Sequence, residues 1–262
     1  MDEVAQGTTE ATTLASLLWA RAHAAPDAVA YHHLVRTRAR EATEQVTWAE
    51  TRALVEPLAA GLVGLGVEPG DRVAILSSTR ADAVLGHLAV LCAGAATTVL
   101  DPASAPADVA RLVHGSGSVV VLAEDVEQVD KLRVVRGDIR GVRKVVQLDG
   151  DYPDRRVMTL EALLAHGEDV LARDAATVVR RVAAVRPDTL ATVLHPPGSP
   201  AGGIPGTHGD WVVEGAAAEP GGGDAVRTLD ASLSLPAAHG LLAAQLARGF
   251  GVVLDAGRGG SG

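Results

Sequence analysis

The chain has 262 residues, of which 47% are hydrophobic but only 2% aromatic, so its core must be filled mainly by Ala, Val and Leu. A chain of this length buries roughly 70–75% of its unfolded surface, enough for one large domain or two small ones. The formal charge of −9 excludes a general attraction to nucleic acid or to an anionic membrane surface, and a single cysteine, Cys92, excludes an internal disulfide and a cysteine-rich metal site.

The opening "MDEVAQGTTEATT" is acidic and lacks the basic region and apolar run of a secretory signal. No stretch is continuously apolar for the length of a membrane span, so a cytoplasmic protein is expected. "TTLASLLWARAHAAP" places Leu14, Leu17, Leu18 and Ala22 on one helical stripe, with Thr12 or Thr13 as the cap and Pro26 beyond the end. "VAYHHLV" is an extended segment, and "RTRAREATEQ" reads as a polar bend. "TWAE", from Thr47 to Glu50, has capping-box spacing and opens a helix that Pro57 should kink or divide.

The pattern then becomes regular. "DRVAILS", "AATTVLD", "SVVVLAE" and "VRKVVQLD" read as strands. They alternate with the helices "RADAVLGHLAVLCAG", "APADVARLVHGSG" (starting near Ser104) and "DVEQVDKLRVVRGD". Cys92, inside the first of these helices, is expected to be a buried small hydrophobe. Short apolar strands between amphipathic helices predict an α/β fold, with mostly parallel sheets flanked by helices. "GDYPDRR" is a loop, and "TLEALLAHGEDVLARDAATVVRRVAAV" is one long helix or two consecutive ones. The strand "TLATVL" leads into "HPPGSPAGGIPGTHGDW", His195 to Trp211. Beyond it come a helix near "DWVVEGAAAE", the glycine turn "PGGGD", a strand within "VRTLDASLSL", the helix "AHGLLAAQLARG" and the strand "FGVVLD" before a loose glycine-rich tail.

A strand, a glycine-rich loop and a helix can cradle an anion, because loop amides and a helix N-terminus face phosphate oxygens. Gly198, Gly202, Gly203, Gly206 and Gly209 supply a permissive backbone, and Ser199 and Thr207 supply hydroxyls. Against this, Pro196, Pro197, Pro200 and Pro205 remove four amide donors. The only lysines, Lys131 and Lys144, lie upstream, which leaves Arg227 or Arg248 as the cations to approach the loop. The segment therefore reads as a weak cofactor-binding loop or as a plain connection. His32, His33, His195, His208 and His239 form no "HExxH" arrangement, so no metal is expected, and "PPGSPAG" is not a nucleophile elbow around Ser199. His239 sits at a strand-to-helix junction, a position where parallel sheets meet ligands.

Taken together, "VTWAE", the stretch from "LAAGLVGLGVEPGDRVAILSS" to "VVVLAED", "RPDTLATVL", "THGDW" and "SLPAAHG" resemble the N-terminal half of an AMP-forming acyl-CoA synthetase of the adenylate-forming superfamily, closest to bacterial long-chain fatty-acid ligases. The resemblance implies that family's N-terminal subdomains: residues 1–184 as one α/β subdomain, 185–262 as an incomplete second one, and no C-terminal domain carrying the catalytic lysine. It also implies ATP or AMP, magnesium and CoA as cofactors in fatty acid metabolism, although none is expected to act on this chain. The family loop reads tyrosine-threonine-serine-glycine-threonine-threonine-glycine and then proline-lysine-glycine. Here the loop is two residues shorter: Gly198 matches the first glycine, Ser199 the hydroxyl after it, prolines replace the neighbouring hydroxyls, and nothing matches the lysine. Asp210 replaces the family asparagine and would bring negative charge toward phosphates, while His239 matches a position beside the acyl and adenylate pocket. These departures predict negligible stand-alone ligase activity and no catalytic residue, with His239 as a pocket remnant. The chain is then a pseudoenzyme, either acting in self-association or with a protein partner that covers the truncated side, or a remnant with no retained activity; the alternatives are a vestigial binder of an acyl, CoA or nucleotide ligand and one part of a split ligase.

Overall fold

Strands that are apolar at every position are stable only where both faces are covered, and their side chains then divide alternately between two cores. The computed structural model describes residues 11–36, 41–154, 156–196, 203–218 and 226–254, and it shows this division. In β3 (Arg72–Leu76), Val73 and Ile75 enter one core while Ala74 and Leu76 enter the other. In β5 (Val120–Ala123), Val120 and Leu122 part from Val121 and Ala123 in the same way. With β4 (Ala96–Leu100), β6 (Lys144–Gln147), β7 (Val157–Thr159), β8 (Leu190–Leu194) and β9 (Ile204–Thr207), they form a sheet of order β7-β6-β5-β3-β4-β8-β9. All its pairings are parallel except that of β9 with β8.

The larger core is covered by α1 (Leu14–Ala24), α2 (Trp48–Gly64), α3 (Ala81–Cys92), α6 (Leu160–Arg173) and α7 (Thr177–Ala184). The smaller core lies under α4 (Pro106–Ser116) and α5 (Val126–Val134). Cys92 is fully buried at the end of α3, and burial pushes its thiol pKa up.

A second sheet has the order β10-β11-β1-β2, from β1 (Val29–Arg36), β2 (Glu41–Thr47), β10 (Val226–Leu229) and β11 (Gly251–Leu254). Here α8 (His208–Ala217) and α9 (Pro236–Arg248) complete the element order. The sheets do not divide at residue 185, since β8 and β9 join the first sheet while β1 and β2 join the second. The Gln245 amide donates to the Ala30 carbonyl at 2.6 Å, and Arg21 donates to Leu246 and Ala247, tying the first helix and strand to α9.

Three strands differ from the expected pattern, and each lies at a sheet edge. Residues 41–45 are part of β2 and not of a bend; Thr43, Glu44 and Gln45 face solvent, so polarity is compatible with antiparallel pairing to β1. β7 starts directly after the expected loop. β9 forms inside the glycine- and proline-rich stretch, where an edge tolerates Pro205. The long helical segment resolves into α6 and α7.

Pro57 does not divide α2, which runs unbroken through it. Instead its carbonyl marks where α6 comes closest: a Cβ at Gly167 would lie 1.8 Å from the Pro57 oxygen and 2.9 Å from the Gly61 nitrogen. A Cβ at Gly61 would in turn lie 2.5 Å from the Leu163 oxygen. Backbone cannot yield as a flexible side chain does, so Gly167→Ala is expected to cost about 1–3 kcal/mol or more through overpacking. Urea unfolding checks this as a lowered midpoint at unchanged slope; an unchanged midpoint would show that the two helices part freely.

Candidate functional site

The strands on either side of the glycine-rich segment pair antiparallel as a hairpin. β8 rises through Leu194 and β9 returns from Ile204, with Leu194 opposite Ile204, Thr192 opposite Gly206 and Leu190 opposite Thr207. Gly203 closes the return with φ of +74°, and a Cβ there would meet His195 and Val193 atoms at 2.6 Å. Gly206 lies under the Trp211 indole, where a Cβ would be 2.7 Å from Nε1, and that Nε1–H donates to Thr192 Oγ1 at 3.0 Å. Gly198, Ser199 and Gly202 of the expected anion site, with Pro197 and Pro200, lie outside the described residues.

This topology corrects the expected strand-loop-helix cradle. Because β9 intervenes, α8 begins at the opposite end of the hairpin from the loop, about 13 Å away for four residues of strand. Its first amides are also taken. His208 N–H donates to Thr189 O at 3.0 Å, Gly209 N–H to Pro187 O at 2.8 Å and Asp210 N–H to Thr207 Oγ1 at 3.1 Å. The Asp210 carboxylate accepts from the Thr207 N–H and hydroxyl at 2.9 and 2.8 Å, which lowers its pKa. Thr207 and Asp210 thus form a capping box at the foot of the hairpin, so Asp210 is not directed at the loop as expected.

Among the described residues, both expected arginines make contacts elsewhere. The Arg227 guanidinium stacks on the Phe250 ring at 4.7 Å, and Arg248 donates to the Gly215 and Ala216 carbonyls of α8. Arg111 on α4 is the cation whose field reaches His195 at the top of β8, and it is itself paired with Asp108 at 3.2 Å. Burial first and this charge second lower the His195 pKa. Lys131 donates to the Pro102 carbonyl.

A cleft of about 330 Å³ opens at the carboxyl ends of β3 and β4 and beside the segment after β10, lined by Ser78, Thr79, Asp101, Pro102, Asp230 and Ser232 among others. Thr79 Oγ1 donates to Ala231 O at 3.0 Å and accepts from Leu233 N–H at 2.9 Å, joining the two sheets. Among the described residues the cleft carries two carboxylates and no cation, and nearby Arg80 is paired with Asp82, Glu124 and Asp149. Such a lining repels phosphate.

His239 is buried beside a residue that the sequence reading missed. Its ring centroid lies 4.8 Å from that of His87 on α3 and 5.4 Å from Trp211. His87 lies within an apolar helix, and nothing in its spacing marks it out. Its Nδ1 meets Thr97 Oγ1 at 3.0 Å, and that hydroxyl donates to Ala191 O. His239 Nε2–H donates to Leu233 O at 2.7 Å, which leaves Nδ1 unpartnered among the described residues. His208, also buried, has neither ring nitrogen partnered there. His32 and His33 lie on β1 in the other sheet. No group of three His, Cys, Asp or Glu among the described residues could hold a metal ion.

Burial lowers the pKa of both His208 and His239 to about 4 and lowers that of His87 well below its ordinary value. A histidine depressed on folding contributes full stability above its unfolded pKa of about 6.5, and this is lost as pH falls toward the folded value. His208 and His239 together are expected to cost about 2–3 kcal/mol by pH 5.5. Urea unfolding at pH 7 and 5.5 measures the loss, and the imidazole NMR resonances of His208 and His239 should stay unshifted across that range; titration of either near 6.5 would disprove the burial argument.

With the geometry in place, the relatives are informative. The AMP-binding enzyme family matches residues 18–201. The chain is 31% identical over 174 residues to the long-chain-fatty-acid–CoA ligase FadD15 of Mycobacterium bovis, covering 66% of this chain and 27% of that one. It thus spans about a quarter of that relative's length. Among solved structures, a long-chain-fatty-acid–CoA ligase from Archaeoglobus fulgidus superposes with a TM-score of 0.75 at 16% identity, covering 94% of this chain and 47% of that one. Acetoacetyl-CoA synthetase from Streptomyces lividans gives 0.73 at 23% identity, covering 93% and 38%. At these identities the superpositions speak for the fold, mostly parallel sheets between helices, and the family match over most of the chain goes further: this protein belongs to the AMP-binding enzyme family.

Proposed function

We propose that this chain is a non-catalytic member of the family. The family's chemistry joins a carboxylate to AMP with loss of pyrophosphate from ATP and then passes the acyl group to CoA. Charge developing on phosphoryl oxygens in that reaction must be offset by preorganised donors and cations. The observation that carries the reading is the hairpin itself: the α8 amides, the Thr207 hydroxyl and the Asp210 carboxylate are bonded to one another or to backbone at its foot. The loop sequence holds no lysine, and the cleft at the carboxyl ends of β3 and β4 presents Asp101 and Asp230. In this reading no described residue is assigned to the phosphates of ATP with magnesium, nor to a reaction step. His239, enclosed by His87 and Trp211, is a packed remnant of the pocket. Association through sheet edges is the retained role in this reading; Ile204 on β9 and Val226 on β10 are exposed apolar side chains on such edges.

A second reading is favoured by the family match together with the fraction of FadD15 that the chain covers: this chain contributes one wall of a ligase completed by other segments. One experiment separates the two. Pyrophosphate release is measured with ATP, magnesium and long-chain fatty acids for the chain alone, for the chain with co-expressed neighbouring gene products, and for both with a lysine-containing family loop grafted over residues 195–203. Non-catalytic decay predicts release at the blank level until the graft is present, and removal of a single charge-stabilising donor alone costs on the order of 10²–10³ in rate. Saturable, acid-dependent release by the ungrafted pair would overturn it in favour of the second reading. Light scattering tests the association role, for which a strictly monomeric protein without a co-purifying partner is the adverse result.

A further inference from the structure

A second cavity, of about 470 Å³, lies at the amino ends of β6 and β7, far along the sheet from the β8–β9 hairpin. Its floor is apolar: Val129 and Leu132 of α5, with Val142, Val145 and Val157, extend the smaller core to the surface. The last three remain half-exposed, because α5 reaches over β6 and leaves the edge strand β7 uncovered on this face.

The rim is basic in a chain whose formal charge is −9. Five cations line it, namely Arg133, Arg136, Arg143, Lys144 and Arg156, against one carboxylate, Asp154. Three of these cations are neutralised. Arg156 grips Asp154 at 2.7–3.0 Å, Arg143 pairs with Asp71 at 3.0 Å, and Arg133 pairs with Asp130 at 3.4 Å and donates to the Tyr152 hydroxyl at 2.7 Å. The side chains of Arg136 and Lys144 have no partner among the described residues. The carboxyl end of α5 adds about half a negative charge, which two full cations outweigh. Lys144 is one of only two lysines in the chain, and the other, Lys131, is engaged by a carbonyl.

An apolar floor under two unneutralised cations is complementary to a molecule with one charged end. Its volume falls within the roughly 300–1,000 Å³ of small-molecule sites. We propose that this cavity binds a small amphipathic anion, with a phosphate, sulfate or carboxylate head on Arg136 and Lys144 and an apolar body on Val142, Val145 and Val157. The site is independent of the adenylation chemistry, since it involves neither the hairpin nor His239.

The test uses the full 262-residue chain with methyl-labelled valines and three probes: octyl phosphate, octanol and inorganic phosphate. Octyl phosphate is expected to shift the methyls of Val142, Val145 and Val157 and not those of Val252 in β11 of the other sheet. Octanol should bind about tenfold more weakly, and inorganic phosphate should leave the methyls unmoved. The double variant Arg136→Gln/Lys144→Gln should weaken octyl phosphate about tenfold, the effect of two partly exposed charges, and leave octanol unchanged. Equal affinity for octanol and octyl phosphate, an unaltered affinity in a folded double variant, or shifts centred elsewhere would overturn the proposal. If the variant fails to fold, the comparison of probes on the unaltered chain and the loss of octyl phosphate affinity with added salt remain decisive.

Discussion

The antiparallel pairing of β9 with β8 governs the region on which function in this family turns. By sending the chain back down the sheet, it moves the start of α8 to the foot of the hairpin, where His208, Gly209 and Asp210 give their amides to Thr189, Pro187 and Thr207. The same pairing brings Gly206 beneath Trp211, and the indole can approach only because residue 206 has no Cβ. Trp211 in turn packs on His239, which packs on His87. A local choice of strand direction thus determines both which donors remain for a ligand and how tightly the histidines are enclosed.

Much of the fold was legible because its central strands are buried on both faces. "RVAIL", "ATTVL", "VVLA" and "LATVL" leave no polar alternation, and four such runs between amphipathic helices are compatible with little besides a parallel sheet. The strands that escaped notice are those to which this constraint does not apply. β2 is polar where Thr43, Glu44 and Gln45 face water, and β9 contains proline because an edge strand has an unused donor side. Capping was legible at Thr47, where Glu50 follows at the right spacing and reciprocates the bond. The identical geometry at Thr207 and Asp210 was read as phosphate chemistry, because the glycines nearby suggested a loop running straight into a helix.

The candidate site was less legible for a related reason. His87 and His239 are 152 positions apart by number, and only the fold brings their rings together, with Trp211 making the other ring contact of His239. The charge of Arg111 on α4 acts on His195, just beyond β8, without any shared motif. Loop composition could indicate that a cation was missing, but not that this arginine would act on His195.

Charge placement adds a final step. Cations paired at a surface contribute little to stability, and their removal is usually tolerated. The arginines around α5 and β6 nevertheless hold a consistent sign around an apolar floor, while the cleft at the carboxyl ends of β3 and β4 holds the opposite sign. In a doubly wound sheet, ligands meet the carboxyl ends of the strands, where loops diverge at a change of strand order. Here that end offers carboxylates among the described residues, and Arg111, whose charge helps lower the His195 pKa, is already paired with Asp108. An anion approaching this chain meets repulsion in the cleft and two unneutralised cations at the amino ends of β6 and β7. The electrostatics therefore separate the place where the fold ordinarily receives phosphate from the place where this sequence attracts negative charge.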